Sequence, residues 1–455
     1  MTARVAVIGG GLAGCEAAWR IAHITAGAAM VDLFEMRPST QTPAHSTGLL
    51  AELVCSNSLK AESTDSPTGR LKQDLALGGS LILAAAQETR LPAGRALAVD
   101  RARFAEAVTR RIEGNNGINL IRRRLDSLPE GYDHTIIATG PLTSPGMEQT
   151  LTALVGGENL YFYDAIAPIV EADSVDMNVA FFQDRYGPPG QGDYLNLPMN
   201  KEEYDLFVAA LMEAQKTPSR EFEREYFFEG CMPIEEIAAR GWETLAFGPL
   251  KPVGLANPAT GEQPHAVIQM RKEDAAGYSY NMVGFQTKLK IGEQERVFRR
   301  IPGLGSAVFL RYGSLHRNTF VNSPLALDST LRLKSAPNVR LAGQITGVEG
   351  YVESAACGYL AGVFTAWEIM GKPIIPPPRE TAMGGLLAYV TTPPQHGRFQ
   401  PANMNFSLFP PLATPARGKK NRRRLLLQRA QEEMFQWLTC HGLSSGHVVP
   451  LPGSP

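Results

Sequence analysis

The stretch Val5-Ala6-Val7-Ile8-Gly9-Gly10-Gly11-Leu12-Ala13-Gly14 decides the fold of this chain. Its apolar half predicts a buried parallel strand, and the alanine-rich continuation from Leu12 to Ile24 has helical spacing. Gly9, Gly11 and Gly14 fit G-x-G-x-x-G, a pattern that gives a tight turn, close backbone approach to a pyrophosphate, and close helix–strand packing. The stretch therefore predicts a βαβ dinucleotide site, with a plain tight turn in a globular domain as the alternative.

A second apolar strand, Met30 to Phe34, supports this prediction because it ends at Glu35, about twenty residues beyond the glycines. A carboxylate at that place can accept hydrogen bonds from an adenosine ribose. The candidate cofactor-binding residues in this half of the site are Gly9, Gly10, Gly11, Leu12, Ala13, Gly14, Glu35, Met36 and Arg37. These residues alone do not distinguish FAD from NAD.

Composition narrows the class of protein. A chain of 455 residues with 44% hydrophobic content is long enough for about two to four domains. A net charge of −1 gives no global attraction to nucleic acid, so a polyanion site would have to be a local patch. Five scattered cysteines are too few for a disulfide framework and predict reduced thiols in the cytoplasm. No run approaches the length of a membrane span, so no membrane partner is expected.

Two later strand ends favour FAD. The strand from His134 ends in Ala138-Thr139-Gly140, a sequence that in flavoproteins marks the exit of the chain from the dinucleotide domain. Another strand ends at Gly343-Gln344, and Gly350-Tyr351 then opens a helix to Met370. Small residues on one side of that helix would let it lie close against a cofactor.

A dedicated nicotinamide domain is not predicted, because the nearest second glycine pattern, Gly303-Leu304-Gly305, breaks off. Any NAD(P)H would therefore bind transiently in the flavin pocket.

The predicted fold class is α/β: a Rossmann-like FAD-binding domain of the glutathione-reductase type, interrupted by an α+β insertion domain. We expect residues 1–155 and 305–445 to form the two parts of the FAD-binding domain, 156–304 the insertion, and 446–455 a disordered tail. One helix is predicted from Leu71 to Ala86 and one at the C-terminal end from Leu425 to Thr439.

Three blocks identify a family: Leu53-Val54-Cys55-Ser56-Asn57-Ser58, Phe228-Glu229-Gly230-Cys231-Met232-Pro233-Ile234-Glu235, and Gly343-Gln344-Ile345-Thr346-Gly347-Val348-Glu349-Gly350-Tyr351. With them the chain resembles, from Val5 to about Phe406, the TrmFO family of bacterial folate- and FAD-dependent tRNA (uracil-5-)-methyltransferases. The resemblance implies FAD as cofactor, methylenetetrahydrofolate and NAD(P)H as co-substrates, and the T-arm of tRNA as partner, with a T-loop uridine converted to ribothymidine.

The same resemblance implies that Cys55 and Cys231 are catalytic. Uracil C5 is a poor nucleophile until a group adds at C6, and a cysteine thiolate is the natural adduct former. We interpret Cys231 as the residue that adds to C6 and Cys55 as its partner, with the order of roles open. Each thiol has a structural alternative, an inert packing residue at a turn or loop.

The resemblance also implies a folate site at His316, Arg317 and Asn318, where an imidazole face could stack on a pterin. A histidine satisfied within the surface or core is the alternative. Two basic clusters could contact RNA phosphates: Arg122, Arg123 and Arg124, and Lys419, Lys420, Arg422 and Arg423. Solvated charge runs are the alternative for either cluster. The target uridine is stacked in a folded T loop, so it must be extruded to reach the thiols.

Two other functions stay open at this point. One is the related flavoprotein of tRNA wobble-uridine modification (GidA/MnmG), which is longer and carries an extra C-terminal helical domain. The other is an RNA-binding protein in which FAD is structural.

Overall fold

The computed structural model describes residues 2–42, 44–156, 160–188, 190–217, 232–258, 260–274, 276–394 and 399–444, and side chains within these ranges except at 160–166 and 315–317. The strands are β1 (Ala3–Ile8), β2 (Ala29–Phe34), β3 (Ser58–Ala61), β4 (Arg90–Leu91), β5 (Ala96–Val99), β6 (Ile118–Ile121), β7 (His134–Ile137), β8 (Leu160–Ile166), β9 (Ile169–Glu171), β10 (Phe181–Phe182), β11 (Tyr194–Met199), β12 (Ala266–Lys272), β13 (Ser279–Met282), β14 (Phe309–Arg311), β15 (Ser314–Phe320), β16 (Arg332–Leu333) and β17 (Ala336–Leu341). The helices are α1 (Leu12–Thr25), α2 (Pro67–Leu77), α3 (Leu81–Glu88), α4 (Arg101–Glu113), α5 (Pro145–Val155), α6 (Lys201–Glu213), α7 (Ile234–Ala238), α8 (Thr244–Phe247), α9 (Ile291–Phe298), α10 (Ser323–Ala326), α11 (Tyr351–Ile369), α12 (Ala382–Thr391) and α13 (Lys419–Cys440).

The main sheet has the strand order β16-β17-β7-β1-β2-β6. Five of its strands are parallel, and β16 pairs antiparallel at one edge. Taken in chain order, the parallel strands lie 3-2-1-4-5, the order of a dinucleotide-binding sheet that places its ligand at the carboxyl ends near the first strand. Val5, Val7 and Ile8 are buried in the centre. The predicted α/β class with a Rossmann-like sheet is confirmed.

A second, antiparallel sheet has the order β10-β11-β12-β13-β9-β14 and a separate hydrophobic core. Leu197, Ile268 and Phe285 are buried there together with residues of α6 and α9. The antiparallel pair β8–β15 lies where the chain enters and leaves this part of the structure. Two separate hydrophobic cores that are connected by few segments of the chain are typical of a domain inserted into a parent domain.

The predicted helix from Leu71 to Ala86 is wrong in one respect: the segment forms two helices, α2 and α3. Gly79 has a φ of +74°, which a helix cannot continue through, and the Ser80 hydroxyl caps α3 by accepting a hydrogen bond from the Leu83 amide. The C-terminal helix α13 begins at Lys419, six residues before the predicted start, so the basic run is itself helical.

The small residues of α11 pack against α1. A Cβ on Gly358 would lie 2.2 Å from the carbonyl oxygen of Ala13, and one on Gly362 would lie 2.7 Å from that of Ala17. The sequence suggested that the small residues of α11 approach a cofactor closely. In the structure they approach the backbone of α1. None of the helices within the described ranges combines the length and apolarity needed to cross a bilayer.

Candidate cofactor-binding and active site

A cleft opens at the carboxyl ends of β1, β2, β7 and β17. It brings together all three separated motifs of the sequence: the glycine loop after β1, the ends of β2 and β7, and the start of the β17–α11 connection. The predicted cofactor-binding residues that line it are Gly9, Gly10, Gly11, Leu12, Ala13, Glu35, Met36, Arg37, Ala138, Thr139, Gly140, Gly343, Gln344 and Tyr351.

The three pattern glycines have different surroundings. Gly9 has a φ of +108°, and a Cβ there would lie 2.5 Å from the Ala138 carbonyl oxygen. A Cβ on Gly14 would lie 1.9 Å from the Gly9 carbonyl oxygen, so this glycine allows α1 to pack on the loop. Gly11 has no atom within 4 Å of its Cβ position and faces the cleft. The geometry thus leaves room beside Gly11 for a ligand to approach the backbone.

Glu35 is held in place by an ion-pair network. Its Oε2 accepts a hydrogen bond from the Gly10 amide at 2.8 Å, and its Oε1 accepts from the Arg37 Nε at 2.8 Å. Burial alone would raise the pKa of Glu35, but these bonds and the Arg37 charge together hold it below the usual value. Arg37 also binds Glu52, which sequence reasoning missed. Arg37 therefore orients carboxylates, and Glu35 stays an anionic acceptor at the cleft wall.

Gly350 and Gly14 do not line the cleft. Gly350 has a φ of +112° and turns the chain into α11, and a Cβ there would meet Glu353 and Lys60. Tyr351, the first residue of α11, lines the cleft, and its N-terminal helix end faces the same region.

The Cys55 loop, residues 53–57, lies beside this helix start. The amides of Cys55 and Ser56 donate hydrogen bonds to the phenolic oxygen of Tyr351, at 2.9 and 3.1 Å. Val54 lines the cleft, and Cys55 is half-buried. Cys15 and Cys357 are buried, and burial raises the pKa of each thiol, so neither is a nucleophile. Among the described cysteines near the cleft, Cys55 is the one that is not fully buried.

Comparison with known proteins gives the family. A family model described as "Glucose inhibited division protein A" matches residues 4–373. The methylenetetrahydrofolate--tRNA-(uracil-5-)-methyltransferase TrmFO of Geobacter sulfurreducens is 55% identical over 440 residues, which is 96% of this chain and 99% of that protein. The chain belongs to the TrmFO family.

Further TrmFO proteins are similar over the same length; that of Moorella thermoacetica is 54% identical and covers 95% of this chain and 98% of its own. Among solved structures, Aquifex aeolicus GidA has a TM-score of 0.68 at 16% identity, covering 97% of this chain and 74% of that one. The GidA likeness concerns the fold.

Several residues implied by the TrmFO resemblance lie outside the described part of the structure. Cys231 falls in the gap at 218–231, and the side chains of His316 and Arg317 lie outside the description, although β15 includes their backbone. Asn318, on the same strand, is buried. The catalytic role of Cys231 and the folate site remain predictions.

The predicted RNA-binding cluster at residues 122–124 lies at the cofactor cleft. Arg122 donates to the carbonyl oxygens of Arg37 and Gly48, at 3.2 and 2.6 Å, so its guanidinium supports the loop after β2. Arg123 and Arg124 line the cleft, and Arg123 lies over the Phe34 ring at 5.3 Å. Arg123 and Arg124 are both exposed, and contact of this cluster with RNA phosphates stays a prediction.

The second basic cluster is exposed at the start of α13. Lys419, Lys420, Arg422 and Arg423 are all exposed, as is Arg424. None of them forms an ion pair within the described residues; Arg424 binds Asn421 and Gln428, and Arg423 lies over the Phe406 ring. This helix end is therefore free to meet a polyanion.

Sequence reasoning missed cleft residues with no local motif, among them Glu52 and Thr143. Thr42, His45 and Glu52 lie in the loop after β2, which tertiary packing folds back over the carboxyl ends of the strands. Glu52 lies fifteen residues after Arg37 in the sequence, so no local sequence pattern indicates that their side chains meet.

Proposed function

We propose that this chain is a methylenetetrahydrofolate-dependent tRNA (uracil-5-)-methyltransferase that uses FAD. The observation behind the proposal is one juxtaposition: a cleft built from three flavoprotein motifs lies against the loop that carries Cys55, in a chain 55% identical to a TrmFO enzyme over nearly its full length. The TrmFO relatives are named for methylenetetrahydrofolate and tRNA, and the cleft offers a place for FAD.

The residues of the cleft fit FAD. The open space at Gly11 and the amides at the start of α1 suit a pyrophosphate, and the free lone pair of the anionic Glu35 suits a ribose hydroxyl. Arg123 and Arg124 add positive charge at the same wall. The N-terminal end of α11 would face the flavin ring, where its dipole favours negative charge. Reduced FAD supplies electrons for reducing the transferred carbon to a methyl group.

The finer assignments extend the proposal. We assign the T-loop uridine of the tRNA T-arm as the target, NAD(P)H as reductant, and Cys55 and Cys231 as the thiols that activate and release the base. The fixed amides of residues 55 and 56 hold the Cys55 loop against Tyr351, so Cys55 would meet an extruded base at the cleft mouth. A tRNA substrate implies work in the cytoplasm.

Single-turnover transfer tests the function. Purified, reduced holoenzyme is mixed with tRNA and methylenetetrahydrofolate labelled at the methylene carbon, and nucleosides are analysed by mass spectrometry. We expect label in ribothymidine, lost in the Cys55→Ala variant and lost when the target uridine is replaced by cytidine. Label at the wobble uridine would instead indicate GidA-like chemistry, and bound tRNA without label would indicate a binding protein.

A further inference from the structure

An exposed tyrosine stands in a strained conformation in the connection between β10 and β11. Tyr186 has a φ of +66°, in the left-handed region that aromatic residues rarely adopt, and it is 78% exposed. Such a conformation is costly and persists only where the surrounding structure imposes it. Because most of the ring stays in water, burial of apolar surface does not offset the cost. The strain therefore marks this ring as a candidate binding group.

Contacts with residues 251–254, which precede β12, impose the conformation. The Tyr186 amide donates a hydrogen bond to the Gly254 carbonyl oxygen at 3.0 Å. Gly254 itself has a φ of +81°, and a Cβ there would lie 2.8 Å from the Tyr186 Cδ1 and 2.9 Å from its Cε1. One edge of the ring thus lies on the backbone of Gly254, and the rest of the ring is open to solvent.

Arg185 joins the two segments. Its guanidinium donates to the carbonyl oxygens of Lys251 and Val253, at 2.7 and 3.0 Å, and to the Gln269 Oε1 at 2.9 Å. Lys251 is exposed and Arg185 is half-buried, and within the described ranges neither of them forms an ion pair. The tyrosine ring therefore stands beside two positive charges that no carboxylate of the described chain neutralises.

The antiparallel sheet places this group near the Cys55 loop. Gln269 and Arg271 are two residues apart on β12, so their side chains point to the same face of the sheet. Gln269 binds Arg185, and Arg271 donates to the Ser56 Oγ at 2.9 Å. Two residues of a strand span about 7 Å, the rise of about two stacked nucleotides. An RNA strand with one base at the Cys55 loop is therefore long enough to reach the tyrosine ring with a base a few nucleotides away.

We propose that Tyr186 is a stacking platform for an unpaired base of the tRNA, and that Lys251 contacts a neighbouring phosphate. Proteins that hold single-stranded nucleic acid combine aromatic rings with positive charge in this way. The two cations favour a polyanion over an apolar peptide as the occupant. Arg185 is a positioning residue, because it holds the segments that carry the ring and the lysine. The proposal rests on the proposed function for tRNA as the ligand, but binding is measured without methyl transfer.

Filter binding of the FAD-loaded protein to an unmodified tRNA transcript tests the platform. Tyr186→Leu removes the ring and should weaken binding about tenfold, with an unchanged slope of log Kd against log salt concentration. Tyr186→Phe keeps the ring and should bind as the wild type does. Lys251→Gln removes a charge instead, so it should lower the salt slope by about 0.7–0.9.

Three controls separate stacking from damage to the fold. A fully paired RNA duplex offers phosphates but no unpaired base, so Tyr186→Leu should leave its affinity unchanged. Tyr186→Gly accepts a positive φ and should unfold at a temperature no lower than the wild type, while it binds tRNA as weakly as Tyr186→Leu. Phe435→Leu, at an exposed ring far along α13 from its basic start, is the matched variant and should bind tRNA normally.

Unchanged tRNA affinity in Tyr186→Leu, or an equal loss for the tRNA and the duplex, would overturn the proposal. A lower unfolding temperature in Tyr186→Gly would show that the ring serves folding rather than binding, and would overturn it as well. A wild-type protein that shows the expected binding pattern but transfers no labelled carbon would count against the proposed function alone.

Discussion

At the scale of single residues, the cofactor cleft depends on buried charges whose partners are fixed. Arg37 is 2% exposed and lies between the carboxylates of Glu35 and Glu52. Buried ion pairs contribute little net stability, but removing one partner leaves an uncompensated charge and costs about 3–5 kcal/mol. Their value here is geometric, because they fix an anionic acceptor at the end of β2.

The pattern glycines give the first prediction, since Gly11 and Gly14 should respond differently to a single methyl group. Gly14→Ala forces a Cβ into the Gly9 carbonyl and should lower the free energy of unfolding of the apoprotein by about 1–3 kcal/mol. Gly11→Ala meets open space and should leave the apoprotein nearly as stable while weakening FAD binding. Denaturant unfolding of the apoproteins and flavin titration measure the two effects. Equal loss of stability in both variants would contradict this reading of the loop.

Lys72 gives a pH prediction. It is fully buried, donates to the Ala61 carbonyl at 2.5 Å, and burial lowers its pKa from 10.5 to about 8. Between those values the unfolded chain binds more protons than the folded one, so this group makes stability rise with pH from about 8 to 10.5. The contribution is about 3 kcal/mol at full extent.

The Lys72→Met variant should therefore lack this rise. Free energies of unfolding from urea titrations of both proteins between pH 7 and 11 give the difference, and Lys372→Met, at an exposed position, is the control. Parallel curves for the wild type and Lys72→Met would show that Lys72 is not the group responsible.

At the scale of elements, the contact of α11 with α1 sets the position of the helix start at the cleft. Because Gly358 touches the backbone of Ala13, which itself lines the cleft, packing and cofactor binding are linked. Gly358→Ala should push the two helices apart. We expect the free energy of unfolding to fall by about 1–3 kcal/mol and the affinity for FAD to fall as well.

The control for this helix contact is Gly292→Ala in α9, where no atom lies within 4 Å of the Cβ position. Replacing an unconstrained helix glycine should stabilise by up to about 1 kcal/mol. Thermal unfolding with and without FAD distinguishes the two variants, and a Gly358→Ala protein that binds FAD normally would refute the link.

Helix α13 is unusual because its positive charges stand at its own N-terminal end. The helix dipole already places partial positive charge there, and Gly418 provides no side-chain cap. A bound polyanion would relieve this repulsion, so the double variant Lys420→Gln, Arg422→Gln should bind tRNA about tenfold more weakly at moderate salt and with a smaller salt dependence.

Filter binding across salt concentrations measures the tRNA affinity and its slope. Lys372→Gln, an exposed lysine beyond the end of α11, is the matched control. Affinity that is unchanged in the double variant would assign tRNA binding to another surface.

At the scale of the whole molecule, the cleft takes residues from the start, the middle and the late part of the chain, so a bound cofactor ties these parts together. Gly10, Thr139 and Gln344 line the same space. A ligand that binds the folded state alone stabilises it by mass action, about 2.7 kcal/mol at a concentration one hundred times its Kd.

Removal of FAD should therefore lower the melting temperature, and added FAD should restore it in a concentration-dependent way. Differential scanning calorimetry of apoprotein and reconstituted protein measures the shift. A melting temperature independent of FAD concentration would exclude this cleft as a tight FAD site.

The sequence by itself determined the features that arise from short-range patterns. The apolar run before Gly9, the glycine spacing and the strand ends at Glu35, Gly140 and Gly343 predicted the sheet and the cleft, because strand burial and tight turns are properties of neighbouring residues. The break between α2 and α3 at Gly78-Gly79-Ser80 also has a local cause. The helical periodicity on both sides of it led to the prediction of one continuous helix.

Only the tertiary structure decided which distant groups meet. Tyr351 binds the amide of Cys55 from 296 residues away, and Arg271 and Arg311 reach the same loop from the antiparallel sheet. It also placed Arg122 under a loop and left the basic side chains at the start of α13 without an ion pair among the residues that the structure describes. A charged residue looks the same in a sequence whether it meets solvent, a carbonyl or a thiol, and the energy of each arrangement depends on burial and distance, which are set when the two cores pack together.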